Sequence, residues 1–437
     1  MDWKADYRLK TVSPQEVVEQ IKSGDRVIVG VLPEPSALLY ALAARKAALE
    51  GTEIHIWAVG VDCGWYDPGW EKSFPLKVRY GSRLTRPLLD NRTADFLPTG
   101  LALEYKTQAE NRLDSMHYDV YLGSFSPPDR HGYCSFGNGV WGKKRSAECS
   151  NLVIGEIDKR LIRTYGENRL HVSEIDYIVE HTPDEPLRHI YAPTVEKEFK
   201  VIAQYISTIV KDGDCIQQGT GSLGISLCIL GAFDGKHDLG LHTEQTPPGL
   251  SDLIEQGIFT CQRKNFHHGK VVCTQTWPDE KELEFVNENP MFELYDASYV
   301  NAIPVIAAND NQVAINEAIA IDLTGQICAS NIGSRPYSGL GGHLEHHLGA
   351  LFSKGGRAIT MIPSTAKGDT ISRIVPFFEQ GTAVAVPNSY ADYVVTEYGI
   401  ARLMGKSYRE RATELIAIAH PSFQNELRKQ ADKLLYP

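Results

Sequence analysis

The stretch from Asp214 to Gln245, DCIQQGTGSLGISLCILGAFDGKHDLGLHTEQ, admits few backbones. Asp214 to Gln217 reads as a short strand, Gly219-Thr220-Gly221-Ser222-Leu223-Gly224 as a glycine-dense turn, Leu223 to Phe233 as an apolar helix, and Leu239 to His242 as a returning strand, with Glu244 just past it. Strand, tight turn, helix and strand in that order close as a right-handed βαβ unit, which commits the chain to a parallel sheet. In open parallel sheets, ligands bind outside the carboxyl ends of the strands, and a glycine turn opening a helix offers backbone N–H groups and a positive dipole end to phosphate. An anion cradle and the Glu244 carboxylate are therefore expected to face one crevice.

Two chemistries fit these letters. Residues 219–224 match G-x-G-x-x-G, and Glu244 lies twenty positions beyond Gly224, where a dinucleotide-binding fold places the acid that holds a ribose hydroxyl. That reading makes the chain an NAD-dependent oxidoreductase. The other makes Glu244 a nucleophile beside a phosphate-bearing cofactor, a role carboxylates fill when desolvated and positioned. The letters of this unit leave both open.

A chain of 437 residues is long enough for two or three domains of roughly 150–200 residues each. A hydrophobic share of 42 % and a charged share of 23 % are those of a soluble globular protein. The net charge of −11 argues against a nucleic-acid partner, which would require a basic face. The N-terminal MDWKADYRLK has no apolar signal core, and no run of about 18 apolar residues occurs, so a cytoplasmic enzyme with no membrane partner is expected. The eight cysteines form no C-x-x-C pair and no zinc spacing, and are expected to be reduced.

The N-terminal half opens with a second βαβ unit. Asp25 to Val31 is a β-branched strand, Leu32-Pro33-Glu34-Pro35 a breaker, Ser36 to Leu49 a helix capped by Ser36, and Thr52 to Val59 the next strand. Further strands are expected at Leu76–Tyr80, Tyr118–Phe125 and Leu152–Ile157. Between the last two, Ser126 to Gly137 is a loop rich in Pro, Gly, Asp and Ser, in which His131 is either a turn residue or a substrate contact. The proline-rich stretch His181–Pro193 marks a boundary, giving domains of 1–187 and 188–437, and the helix Thr194–Val210 restarts the pattern. Two similar open parallel-sheet α/β domains follow. Helices over Tyr408–Ala419 and Pro421–Leu435 close the chain and cover the sheet.

A further glycine loop, Ser338-Gly339-Leu340-Gly341-Gly342, leads into His343, Glu345, His346 and His347. Successive glycines let a backbone approach a ligand and aim N–H groups at an oxyanion. His343 and His347 would share a helix face as two zinc ligands do. The letters H-L-E-H-H are neither H-E-x-x-H nor H-x-x-E-H, so no metal is expected, and the cluster reads as a polar, partly solvated helix start.

Nearly the whole chain resembles the acetyl-CoA hydrolase/transferase family of class I CoA-transferases, which includes 4-hydroxybutyrate, butyrate and succinate CoA-transferases. The resemblance rests on SPPDRHGYCSFG (126–137), RLHVSEIDYIVE (169–180), QGTGSLG (218–224), GLHTE (240–244), GLSDLIEQGIFT (249–260), AANDNQVAINEAIAIDLTGQI (307–327), SGLGG (338–342), KGGRAITMIPSTAKGDTISRIVP (354–376) and DYVVTEYGIARLMGKSYRERA (392–412). It implies two α/β domains of the NagB/RpiA type, with coenzyme A held mainly by the C-terminal one as the thioester substrate, and no tightly bound cofactor. It further implies Glu244 as covalent nucleophile, Gly342 as an oxyanion-hole amide, Glu397 lining the active site and Asn301 contacting the thioester. Gly219, Gly221, Gly224, Gly339, Gly341 and Lys367 are the candidates for coenzyme A binding. Expected partners are an acyl-CoA and small carboxylic acids, and a homo-oligomer, dimer or tetramer, is expected.

Departures cluster beside the nucleophile. The family usually has proline where Gly224 stands, Q-x-D-F-x-R where this chain has His343, Glu345, His346 and Leu348, and methionine, serine and aspartate where this chain has Gln245-Thr246-Pro247-Pro248. They bear on the acyl substrate and leave the chemistry intact.

Overall fold

The computed structural model describes residues 2–57, 61–113, 115–187 and 193–435. The chain divides into two compact units, one of residues 1–190 with 274–299 and one of residues 191–273 with 300–437. Segment 274–299, expected in the second domain, thus belongs to the first unit. Its place is set by long-range backbone pairing that no local pattern announces. Val140 N–H donates to Thr274 O, Thr276 N–H to Asn138 O and Glu288 N–H to Arg163 O, each at 2.7 Å.

The first unit carries strands β1 (Arg26–Val29), β2 (Glu53–Ile56), β3 (Leu76–Val78), β4 (Ala94–Phe96), β5 (Tyr118–Phe125), β6 (Ser150–Ile157) and β7 (Tyr177–Glu180). Their order is β7-β6-β5-β1-β2-β3-β4 and every pairing is parallel. Strand order therefore reverses between β1 and β5. The strand expected over Thr52–Val59 ends at Ile56, and residues 58–60 lie outside the described residues. Helix α1 is Ser36–Ala43, six residues shorter than the apolar pattern suggests, and Pro35 rather than Ser36 is its N-cap. Proline has no side-chain acceptor. The buried Glu156 at the end of β6 serves instead, accepting from Leu38 N–H at 3.1 Å.

The second unit carries β8 (Cys215–Gln218), β9 (Gly240–Gln245), β10 (Val271–Gln275), β11 (Gln312–Glu317), β12 (Arg357–Met361), β13 (Tyr393–Thr396) and β14 (Gly399–Arg402). They run in the order β14-β13-β12-β11-β8-β9-β10, the chain leaving this unit along β10. Only β14 is shown antiparallel to its neighbour, and β13, β12, β11, β8 and β9 are mutually parallel. Here the order reverses between β8 and β11. The helices are α2 (Lys197–Ile209), α3 (Ser222–Ser226), α4 (His343–Phe352), α5 (Tyr408–Ala417) and α6 (Pro421–Leu434). Helix α3 is five residues long where the apolar run suggests eleven: the Gly224 carbonyl takes a three-residue bond from Leu227 N–H at 3.2 Å and a second from Gln218 Nε2 at 3.1 Å, and Gly231 and Gly235 further on take positive φ.

Both units open with the same device. In Lys22-Ser23-Gly24-Asp25 and Lys211-Asp212-Gly213-Asp214 the glycine takes positive φ, at 84° and 79°. The aspartate then accepts from the lysine N–H, at 2.7 and 2.6 Å, before the first strand begins. A glycine is the affordable residue at such a turn because L side chains clash there.

The faces of the second sheet differ in chemistry. Successive side chains of a strand alternate between faces. Val313, Ile315, Ile359, Met361, Ile216 and Leu241 share one face, and the register places Gln312, Asn316, Thr360, Gln217, His242 and Glu244 on the other. All twelve are buried. A buried polar face must find hydrogen-bond partners inside the protein.

The first unit also buries an ion pair. Arg79, just past β3, lies with Nε 2.5 Å from Glu104 Oε1, both side chains 3 % exposed, and donates from Nη2 to Tyr118 OH at 2.6 Å. Removing one partner strands a buried charge. Glu104→Ala should therefore lower stability by about 3–5 kcal/mol in chemical or thermal unfolding. Disrupting the exposed Lys72–Glu50 pair, 78 % and 70 % exposed, should leave the transition unchanged within error.

Candidate active site

Glu244 is the penultimate residue of β9, not a residue beyond it, and is only 5 % exposed. Two amides hold its carboxylate. Asn301 Nδ2 donates to Oε1 at 2.8 Å, and the Gly342 backbone N–H also donates to it. Gly342 caps the start of α4. A Cβ there would lie 1.9 Å from Asn301 Nδ2 and 2.4 Å from Glu244 Oε1, so only glycine permits this approach. Burial pushes the Glu244 carboxyl up to about 7; the Asn301 and Gly342 donors oppose the shift, and the nearby Glu345 carboxylate adds to it. The nucleophile candidate is thus a carboxylate kept from water, with its donors already placed.

Helix α4 lies on the polar face of the sheet. Gly342 meets Glu244, and one turn later His346 packs against His242, ring centroids 6.3 Å apart. His343, Glu345, His346 and His347 are 5, 7, 0 and 1 % exposed, so this helix start is buried and not the partly solvated one expected. Burial pushes His343 and His346 down to about 3 and His347 down to about 4, and holds His242 far below its usual value. All four rings are neutral at pH 7. Among the described residues no group of three His, Cys, Asp or Glu side chains could hold a metal ion.

The first glycine loop folds on itself. Gly219 N–H donates to Ile315 O at 2.8 Å, and a Cβ on Gly224 would meet Gly219 O at 2.1 Å. Gly221 caps α3, and the Leu223 N–H that would meet a pyrophosphate donates to Glu317 Oε2 at 3.2 Å. Burial raises the Glu317 carboxyl, Arg373 and the Leu223 N–H oppose the shift, and Glu196 adds to it. Residue patterns gave no sign of Glu317, which sits at the end of β11, 93 residues beyond Gly224.

Glu397 follows β13, four strand positions from β9, on the order of 19 Å at the usual strand spacing. Its carboxylate is taken by Ser364, whose N–H donates at 2.9 Å and whose hydroxyl donates as well. Lys367 is exposed in the hairpin turn between Thr365–Ala366 and Ile371–Ser372, at φ 51°. Gly339 is buried and Gly341 takes φ 57° in the turn before Gly342. The structure thus joins Glu244, Asn301 and Gly342 in one cluster; the Gly219–Gly224 loop follows β8, the strand next to β9, where Thr243 Oγ1 donates to Gln218 O at 3.2 Å, and Glu397 and Lys367 stand on other elements. His131 is exposed in a turn built on Asp129, which accepts from its N–H at 2.8 Å. The eight cysteines are free thiols.

A parallel-stranded α/β unit with a buried carboxylate at the carboxyl end of a strand, under a glycine amide, is the class of protein that fold and site define. Comparison with known proteins gives its family. Residues 1–186 match the acetyl-CoA hydrolase/transferase N-terminal domain and residues 279–431 the C-terminal domain. The 4-hydroxybutyrate coenzyme A transferase of Clostridium kluyveri is 37 % identical, covering 99 % of this chain and 100 % of its own. The succinyl-CoA:cyclohexane-1-carboxylate CoA transferase of Geobacter metallireducens is 37 % identical, over 99 % and 97 %. RipA from Yersinia pestis is similar in structure, with a TM-score of 0.92 at 33 % identity over 100 % of both chains. The chain belongs to the acetyl-CoA hydrolase/transferase family and is a CoA-transferase, with a CoA thioester as substrate. Among the described residues no helix is long and apolar enough to cross a membrane.

The raised Glu244 carboxyl has a consequence for stability. A folded value near 7 against 4.5 unfolded favours the protonated folded form, so this contribution is fully present below pH 4.5 and is lost as pH rises through 7. Glu244→Gln keeps an acceptor for both amides and cannot ionise. It should stabilise the protein at pH 8, by at most about 3 kcal/mol, and much less at pH 5. Thermal melts of both proteins at the two pH values check this.

Proposed function

We propose that the enzyme moves CoA from a short acyl-CoA, acetyl-CoA or succinyl-CoA, to a small free carboxylic acid by a ping-pong route through a glutamyl-CoA thioester on Glu244. The observation that carries this reading is the Glu244 carboxylate buried beneath the Gly342 and Asn301 amides. In the first step a Glu244 oxygen attacks the acyl carbonyl, the C–S bond breaks, and CoA leaves as thiolate with the electron pair. Thiolate then adds to the glutamyl carbonyl of the mixed anhydride, the acyl carboxylate departs, and the glutamyl thioester remains. The second acid reverses the two steps.

Each tetrahedral oxyanion requires donors that are already in place. During thiolate attack the oxyanion forms on the Glu244 carboxyl itself, where the Gly342 N–H and Asn301 Nδ2 already point. No step takes up or releases a proton, which suits a site whose histidines are neutral. Exclusion of water protects the anhydride and thioester from hydrolysis. Gly342→Ala, which places a Cβ against both Glu244 and Asn301, should cost about 10²–10³ in kcat.

Named relatives act on 4-hydroxybutyrate, cyclohexane-1-carboxylate and butyrate, and the acceptor here is drawn from the same class of small carboxylic acids. Incubation with acyl-CoA alone, then borohydride, should reduce the thioester carbonyl, and peptide mapping should place the modified residue at position 244. Glu244→Gln should abolish labelling and turnover while retaining CoA binding. Labelling at Glu345 or Glu397 would overturn the assignment. Release of free CoA at the same rate with and without acceptor acid would favour an acyl-CoA hydrolase on the same scaffold.

A further inference from the structure

Beneath Glu244 lies a set of buried polar atoms that the transfer steps do not use. His242 precedes Glu244 by two residues on β9 and so shares its face of the sheet. Its Nε2 is 2.8 Å from Val300 O, and a carbonyl only accepts, so Nε2 carries the proton and Nδ1 is a bare acceptor. That Nδ1 has no protein partner. His346, fully buried, has no protein partner at either ring nitrogen, and one of them must bear a hydrogen. Asn301, the residue after Val300, gives its Nδ2 to Glu244 while its Oδ1 has no protein partner. Two acceptors and one donor without a protein partner thus sit on residues tied to Glu244: His242 two positions before it, Asn301 bonded to it, and His346 packed on His242.

Buried polar atoms of this kind are normally satisfied, and an internal water does so when it has two to four polar partners. Two hydrogen bonds through one water span up to about 5.6 Å, which suits two rings whose centroids are 6.3 Å apart. We propose that His242 and His346 hold an ordered water that donates to His242 Nδ1 and Asn301 Oδ1 and accepts from the His346 ring N–H, fixing the Asn301 amide so that its NH2 faces Glu244. His346 is then a positioning residue acting through Asn301. Without the water, only the Glu244 carboxylate orients the Asn301 amide, and that hold weakens whenever the carboxyl is protonated. The proposal rests on Glu244 being the nucleophile.

The other charged and titratable groups around this layer do not replace the water. Glu345, from α4, opposes ionisation of Glu244. Lys264 donates to Leu241 O at 3.0 Å and to Lys270 O at 2.8 Å, and it and His267 act on His242 only by lowering its basicity. His343 and His347 face each other further round α4, ring centroids 6.1 Å apart, and His347 Nε2 donates to Tyr390 O at 2.9 Å.

The test has two arms. A crystal structure of the wild-type protein at high resolution should show a water within about 3.2 Å of His242 Nδ1, Asn301 Oδ1 and a His346 nitrogen. In the second arm, His346→Phe keeps the ring volume and removes both nitrogens. The acid limb of kcat/KM should move up by half a pH unit or more, so that the ratio of variant to wild type rises at least about threefold between pH 6 and pH 8.5. His346→Gln, which restores an N–H donor, should return part of that shift. A merely structural role would lower the ratio equally at all pH values. A dry layer in the crystal, or an unshifted acid limb in a folded His346→Phe protein, overturns the proposal. Borohydride mapping of His346→Phe separates the two ideas: label at Glu244 with no pH shift sinks the water alone, and label elsewhere sinks the nucleophile assignment.

Discussion

The second unit is organised around the cost of burying one carboxylate. Glu244 is 5 % exposed, its neighbours include another acid, Glu345, and its identified donors are two neutral amides. A buried charge is costly unless it is met by partners fixed in advance. That requirement accounts for the glycine at 342, where any Cβ would strike the carboxylate or the Asn301 amide. It also accounts for helix α4 starting where it does, since a helix start presents backbone N–H groups with no partner in their own helix. The polar row on that face of the sheet, from His242 across Gln217 to Asn316 and Thr360, continues the same logic away from Glu244. Gln217 and Asn316 pair amide to amide, each bond 3.0 Å, so this row is held by its own hydrogen bonds.

Neutral histidines are the natural companions of such a carboxylate. An imidazolium beside Glu244 would lower the basicity of the carboxylate, and on the route proposed above it would also offer a proton to the departing thiolate. Burial removes both hazards by holding His242, His343, His346 and His347 uncharged. Near neutral pH these rings carry no extra proton to hand to the site.

The class of fold was legible in the sequence because parallel strands buried on both faces write themselves as short β-branched runs separated by turn residues. Tyr118–Phe125 is found where expected, and the paired Lys-x-Gly-Asp turns mark the start of both sheets. The clustering of Glu244, Asn301 and Gly342 was reached through family resemblance, since 57 positions separate Glu244 from Asn301 and no spacing rule links them. Less was legible where a side chain from a distant strand overrides a local pattern. Helix α1 takes a cap from Glu156, 118 positions beyond Leu38, and a run of His and Glu that reads as surface is buried because the sheet beneath it is polar. Residues 279–299 fall in the family's C-terminal domain by sequence, yet 274–299 pack in the first unit, since their partners Asn138, Val140 and Arg163 lie more than a hundred positions upstream.

The glycine fingerprint shows why a motif needs its surroundings. Gly219, Gly221 and Gly224 occupy the positions of a dinucleotide loop, yet each is explained by packing inside the unit. A Cβ on Gly224 would enter the Gly219 carbonyl, and one on Gly221 would lie 2.4 Å from Glu317 Oε2. Glu317 takes the Leu223 N–H at the helix start, and Glu156 takes the Leu38 N–H at the corresponding place in the first unit. Each unit thus closes the turn after its first strand with a carboxylate of its own. A nicotinamide dinucleotide would have to displace Glu317 from that amide. The same glycines that spell a cofactor loop are here the small residues that let a strand, a helix start and an internal acid meet at van der Waals distance.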